Sequence, residues 1–181
     1  MESIREDVAR FGRGIAGHLQ ARLGSDFVGA YFVGSIALGG YVPGESDIDI
    51  IAVSEQSIGS HLRRSLAAEM LELTTTCPGR GMEFTLYSRR VAASSPIGAD
   101  FEVNVNGGPR MTPDIHLDAD QEPGFWYVID RAIAHRCGVA IIGPAPNEIF
   151  ADAPRRTLLD AMLQSIRWHR QHEGASLYSV L

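Results

Sequence analysis

Cysteine is nearly absent from this chain. Cys77 and Cys137 are the only two, far apart, in no Cys-x-x-Cys pair and beside no paired histidines. That excludes a disulfide framework and leaves two plain thiols suited to a reducing compartment. The six histidines fall at no metal-ligand spacing, which argues against zinc chemistry. Long hydrophobic runs are missing too. No apolar stretch approaches bilayer-spanning length, and the opening Met-Glu-Ser-Ile-Arg-Glu-Asp has neither the basic nor the apolar region of a secretory leader, so a cytoplasmic location without membrane contact is expected. Basic residues are outnumbered. Against 22 Asp and Glu stand 16 Lys and Arg, for a formal net charge of −6. Extended contact with nucleic acid calls for a basic surface, so the balance argues against that partner and suits a cationic small molecule, which acidic walls would steer inward. No internal repeat or low-complexity tract is present.

What is present is the composition of an ordinary globular protein: 45% hydrophobic and 21% charged residues over 181 positions. That length suffices for one well-buried domain, or for one domain and part of a second.

The chain is organised around residues 31–55. Two apolar strand-like runs there are joined by a glycine-rich connection, and the second carries Asp47 and Asp49. Strand side chains alternate between faces, so these two carboxylates project the same way while Ile48 and Ile50 point to the other face. Two like charges in one patch oppose each other's ionisation unless a cation or several donors sit between them. A divalent metal answers that need, and Mg²⁺ is usually held by one or two carboxylates with phosphates completing its shell. Gly34-Ser35, between the first run and the small-residue segment 36–40, supplies a phosphate-binding counterpart. Glycine allows close backbone approach, and the N–H groups of a helix start with the Ser35 hydroxyl suit phosphate oxygens.

Gly-Ser, eleven residues, then Asp-Ile-Asp resembles the signature of the polymerase-beta-like nucleotidyltransferases. The wording Val-Gly-Ser-Ile-Ala-Leu-Gly-Gly-Tyr-Val-Pro-Gly-Glu-Ser-Asp-Ile-Asp-Ile is most similar to the aminoglycoside adenylyltransferases, particularly the streptomycin/spectinomycin type. The resemblance implies a third carboxylate on the strand that follows the next helix, and Glu83 occupies that place, either as a metal ligand or as the base for an acceptor hydroxyl. It also implies ATP as nucleotide donor and Mg²⁺ as cofactor.

Elsewhere the periodicities are clear. Ile4, Val8, Phe11, Ile15, Leu19 and Leu23 form one face of an amphipathic helix ending near Gly24. Strands are expected over 27–33 and 47–53, a helix over 58–76 stopped by Cys77-Pro78-Gly79, and a further strand from Gly81. Residues 101–106 alternate as a strand, in which Glu102 reads as a solvated residue. Residues 111–122, with Asp114, His116, Asp118 and Asp120 among prolines, read as an acidic loop in which His116 is neither base nor ligand. A helix over 125–136 puts Trp126, Tyr127, Ile129 and Ile133 in the core, and 139–142 reads as a short buried strand. The section from Tyr127 to Ala145 resembles the helix and Gly-Pro strand that close the nucleotidyltransferase domain of the aminoglycoside enzymes.

The expected fold is α/β (α+β): a small mixed sheet covered by helices over 1–152, then the start of an α-helical domain over 153–181, apparently truncated relative to the family. Leu158, Leu159, Met162, Leu163 and Ile166 make an apolar helix face, and 176–181 starts another apolar run, so a homodimer through this region is expected. The expected activity is Mg-dependent transfer of AMP from ATP to a hydroxyl acceptor, with Gly34 and Ser35 on the phosphates and Asp47, Asp49 and Glu83 at the metal and the chemistry. An aminoglycoside-type antibiotic is the favoured acceptor, which would make this an antibiotic-resistance enzyme. A protein or RNA acceptor, or a non-catalytic nucleotide-binding module of the same fold, stays open.

Overall fold

A computed structural model describes residues 4–172. The chain opens with α1 (Glu6–Leu23), whose Glu6 and Asp7 in the first turn and Arg22 in the last complement the helix dipole. Its buried side, Val8, Ile15, Ala16, Leu19 and Leu23, packs on a sheet. Strand β1 (Phe27–Phe32) leads into the short α2 (Gly34–Leu38), then β2 (Ile48–Ser54), α3 (Ser60–Thr74) and β3 (Met82–Ser88). After α4 (Arg89–Ala92) come β4 (Val103–Gly108), β5 (Met111–His116), α5 (Gly124–Cys137), β6 (Val139–Ile142), α6 (Pro146–Ile149) and α7 (Arg155–His172).

The six strands form one mixed sheet in the order β5-β4-β3-β2-β1-β6. β2 and β3 are parallel, with α3 as their crossover, and the other neighbouring pairs are antiparallel. Alternation divides each strand between two cores. Ile48, Ile50, Ala52, Phe84, Leu86, Val103 and Val105 join α1 and α3 on one face. Ile51, Val53 and Tyr87 meet Phe101, Tyr127 and Phe150 on the other, under α5 and α6. At the N-terminal ends of β2 and β3 that second face turns polar, and this is where the candidate site lies.

Four local expectations change. Residues 111–116 are an edge strand, not a loop: Pro113 and the acidic residues read as loop formers, but an exposed edge tolerates a missing N–H and is protected from further pairing by charge. Residues 139–142 form the other edge and are half-buried. Glu102 is buried, 4% exposed, just before β4. It pairs with Arg63 and accepts hydrogen bonds from Ser57 Oγ (3.0 Å) and the Ile58 N–H (3.2 Å), tying the segment before α3 to the sheet. Asp47 lies one residue before β2.

α7 packs on α5 through Ala161 and Trp168, the latter edge-on to Trp126 at 5.4 Å. Leu159, Met162, Leu163 and Ile166 remain about half exposed, at 47–49%. The apolar run at 176–181 lies outside the described residues. No helix among the described residues is long and apolar enough to cross a membrane.

Arg131 anchors α5. Its fully buried guanidinium donates to the carbonyls of Pro96, Gly98 (2.9 Å) and Ala99 (3.0 Å) and lies over the Tyr87 ring, 5.1 Å from the centroid. Methionine would preserve volume but orphan three carbonyls that now accept charge-assisted bonds. Arg131→Met is therefore expected to lower the unfolding free energy by about 3 kcal/mol or more. Urea titration checks this, and a loss below about 1 kcal/mol would contradict the anchoring role.

Candidate active site

The parallel register of β2 and β3 sets Asp49 directly beside Glu83. The antiparallel register of β3 and β4 then sets Asn106 beside Glu83 and Asn104 beside Thr85. Five polar side chains thus share one end of one sheet face. Asn104 Nδ2 donates to Thr85 Oγ1 (3.0 Å) and to the Phe84 carbonyl (3.3 Å), and Asn106 Nδ2 donates to Asn104 Oδ1 (3.3 Å). Opposite this patch stands α5, bringing Trp126, Tyr127 and Asp130. The two surfaces enclose a cleft of about 410 Å³, whose rim also includes His116 and Glu122.

Asp47 and the Gly34-Ser35 turn do not line this cleft themselves; the turn adjoins it through Asp49. Asp47 is held by its neighbours: the Arg80 N–H donates to the Ser46 carbonyl (3.0 Å) and the Ile48 N–H to the Gly81 carbonyl (2.8 Å). Gly34 has φ +52°, in the left-handed region, and a Cβ there would overlap the Asp49 carboxylate. Only glycine satisfies both conditions. The Ser35 N–H donates to the Asp49 carboxylate, and the Val33 N–H donates to the Asp49 carbonyl at 3.0 Å. The turn expected to meet phosphate is therefore clamped to the aspartate expected to meet metal. Ser35 Oγ is buried with no hydrogen-bond partner, a polar atom whose position suits an incoming oxygen-rich ligand.

Electrostatics mark the site. Asp49 is pushed well above the ordinary carboxylate value, by burial first and then by Glu83, Asp47 and Asp130, against the Ser35 N–H. Glu83 is raised to about 7, by desolvation first and then by Asp47 and Asp130, with Arg80 opposing. Its side chain is open to the cleft, so water screens part of that repulsion. Asp130 is raised to about 6 by burial, with Arg131 opposing. Among the described residues none of these four carboxylates has an ion-pair partner.

All four offer hard oxygen donors, the chemistry Mg²⁺ prefers. Yet among the described residues no group of three or more His, Cys, Asp and Glu side chains is arranged to hold a metal ion. The donor set fits a magnesium ion that arrives with phosphate oxygens of its own and does not fit a resident one.

His116 is neither solvated nor idle: Nε2 lies 2.9 Å from Asp114 and Nδ1 2.6 Å from Glu122, pinning β5 to the approach of α5. Asp130 escaped the sequence reading altogether. It is the lone acid in the apolar run of α5, and that incongruity was its one available signal. Trp126 and Tyr127 are walls of the cleft, although Tyr127 also packs on Phe101 (ring centroids 5.1 Å) as a core residue would.

The chain has the nucleotidyltransferase fold. It superposes on the spectinomycin adenyltransferase AAD(9) from Enterococcus faecialis, solved with ATP and spectinomycin, at a TM-score of 0.60 and 15% identity, covering 93% of this chain and 68% of that one. A toxin-antitoxin structure with AMP-PNP is similar at a TM-score of 0.39 and 12% identity, covering 90% of this chain and 93% of that one. The toxin-antitoxin MntA-HpeT, in a mutant form, is similar at 0.36 and 10%, covering 87% and 88%. No protein-family model matches the sequence, and no curated protein matches it significantly.

An acid whose folded-state pKa exceeds its unfolded value binds its proton more tightly when folded. Its stabilising effect is present when protonated and is lost as pH rises, from 4.5 to about 7 for Glu83 and from 3.8 to about 6 for Asp130. In chelator, the melting temperature of Glu83→Gln is expected to rise relative to wild type between about pH 5 and about pH 7.5. Thermal scans across that range check it, and parallel curves would show that Glu83 is not under this repulsion.

Proposed function

We propose that this protein is a nucleotidyltransferase that moves AMP from ATP to a hydroxyl of an aminoglycoside-type acceptor and releases pyrophosphate. The observation that carries this reading is the Asp49–Glu83 register: two carboxylates that have no ion-pair partner among the described residues, next to Asp47 and to a glycine turn with an orphaned buried hydroxyl. A cluster of unpaired carboxylates of that kind costs stability and is kept where it serves chemistry.

Asp47 and Asp49 would hold Mg²⁺ entering with the triphosphate, and Glu83 stands where it can join them. When bound, that ion neutralises charge on the entering and leaving oxygens. Gly34 and Ser35 receive phosphate oxygens, the glycine by leaving room and the serine through its hydroxyl. The acceptor oxygen attacks the α-phosphorus, and the bond to the β-phosphate bridging oxygen breaks with its electron pair going to pyrophosphate. Glu83 accepts the acceptor's proton, since it lies on the open side of the cleft. Positioning and electrostatics supply most of the rate. The net charge of −6 and the acidic cleft favour a cationic acceptor over RNA.

Because the carboxylates form no ready three-ligand set, Mg²⁺ alone should barely raise the melting temperature and Mg·ATP should raise it clearly. Asp47→Asn and Asp49→Asn are each expected to remain folded and to abolish the Mg·ATP shift. Retention of the wild-type shift in both would sink the metal assignment. Pyrophosphate release with mass spectrometry, against streptomycin, spectinomycin, protein and tRNA acceptors, tests the transfer itself. AMP recovered only on protein or RNA would keep the nucleotidyltransferase and discard the aminoglycoside, and ATP binding with no turnover would leave a non-catalytic module.

A further inference from the structure

We infer that the outer face of α7 is a docking surface for an acidic amphipathic helix of a partner protein. That helix lays its apolar side on Leu159, Met162, Leu163 and Ile166 and its carboxylates on the arginines around them. The inference does not depend on the nucleotidyltransferase reading.

α7 has two apolar sides. One, with Ala161 and Trp168, is covered by α5. The other, Leu159, Met162, Leu163 and Ile166, follows the spacing i, i+3, i+4, i+7 that makes a continuous stripe, and each side chain is about half exposed, at 47–49%. Among the described residues the remaining exposed large apolar side chains, Leu38, Val42, Ile97 and Ile115, are dispersed over other segments. A stripe of that kind is the usual footprint of a second helix laid along the first.

Charge selects the kind of helix. Arg155 and Arg156 lie one turn before Leu159, Arg167 one turn after Leu163 and Arg170 one turn after Ile166, so cations bracket the stripe at both ends. All four are exposed, and none forms an ion pair among the described residues, whereas Arg5, Arg13 and Arg22 at α1 each pair with a carboxylate. Asp160 is the one acid of α7, in a chain whose net charge is −6. Unpaired guanidinium groups beside an apolar stripe match glutamates and aspartates flanking the leucines of another helix. A second copy of this chain fits less well, since a twofold pair sets these arginines against arginines with only Asp160 to answer them. An anionic bilayer fits less well too: the chain as a whole is acidic, and the stripe holds no aromatic residue, Trp168 being turned onto Trp126.

Fluorescence anisotropy on the 181-residue chain tests this with labelled synthetic peptides. The first is a helical peptide with leucines at i, i+3, i+4 and i+7 flanked by glutamates; its controls are a scrambled peptide of the same composition and a version with lysines in place of the glutamates. The patterned acidic peptide should bind, and both controls should bind at least about ten-fold more weakly. Leu163→Ser should weaken the acidic peptide about ten-fold, and the double variant Arg156→Glu, Arg167→Glu should lose it and gain the lysine peptide. Both changes are on exposed positions, and an unchanged melting temperature shows that the variants fold. No binding of the patterned peptide, equal binding of the scrambled one, indifference to Leu163→Ser, or failure of the charge reversal to exchange the two peptides would each overturn the assignment. So would a wild-type dimer in sedimentation that Leu163→Ser dissolves, which gives the face to a second copy. Tighter binding to phosphatidylserine vesicles than to the peptide would overturn it in favour of a membrane.

Discussion

Mutual repulsion among Asp47, Asp49, Glu83 and Asp130 is the constraint on which the rest of the structure depends. Like charges this close separate, take up protons or recruit a cation, and the fold must oppose the first of these. It does so with backbone. Asp49 and Glu83 are locked side by side by the β2/β3 ladder, and Asp47 is pinned between two hydrogen-bonded neighbours. Asp130 is fixed through α5 by Arg131, whose charge is committed to carbonyls of the 96–99 segment. Had Arg131 faced the cleft, the cluster would be neutralised and little would draw a cationic ligand in.

Gly34 shows the same logic at smaller scale. Its positive φ folds the end of β1 directly over Asp49, and the absence of a side chain lets the Ser35 N–H reach the carboxylate. The contact couples the proposed phosphate turn to the proposed metal ligand, so displacing one moves the other. Pre-organisation of this kind lets a site act mainly through electrostatics.

The cleft has a division of labour by element. Strands β2 and β3, in fixed register, carry Asp49 and Glu83, while Asp47 lies just before β2 and Gly34-Ser35 opens α2. Across the cleft, α5 carries Trp126, Tyr127 and Asp130 and is itself backed by α7 through Trp126 and Trp168.

Taken by itself, the sequence determined most of the elements and nominated the residues of the candidate site that lie close together in the chain. Helical spacing marked α1 and α3, alternation marked β1 to β3, and the Gly34-Ser35 turn with Asp47 and Asp49 was legible because those residues interact across a short stretch of chain. Glu83 was legible through family resemblance, and its place beside Asp49 follows from a register between strands that no local pattern encodes. Tertiary structure alone decided the rest. Glu102 looked solvated until Arg63 and the segment before α3 closed over it, and residues 111–116 became a strand because β4 offered an edge. Tyr127 and Asp130 became walls of a cleft because α5 packs across a sheet formed by residues far from it in the chain. Periodicity reports which side of a helix is apolar, but what that side faces is set by packing between distant segments.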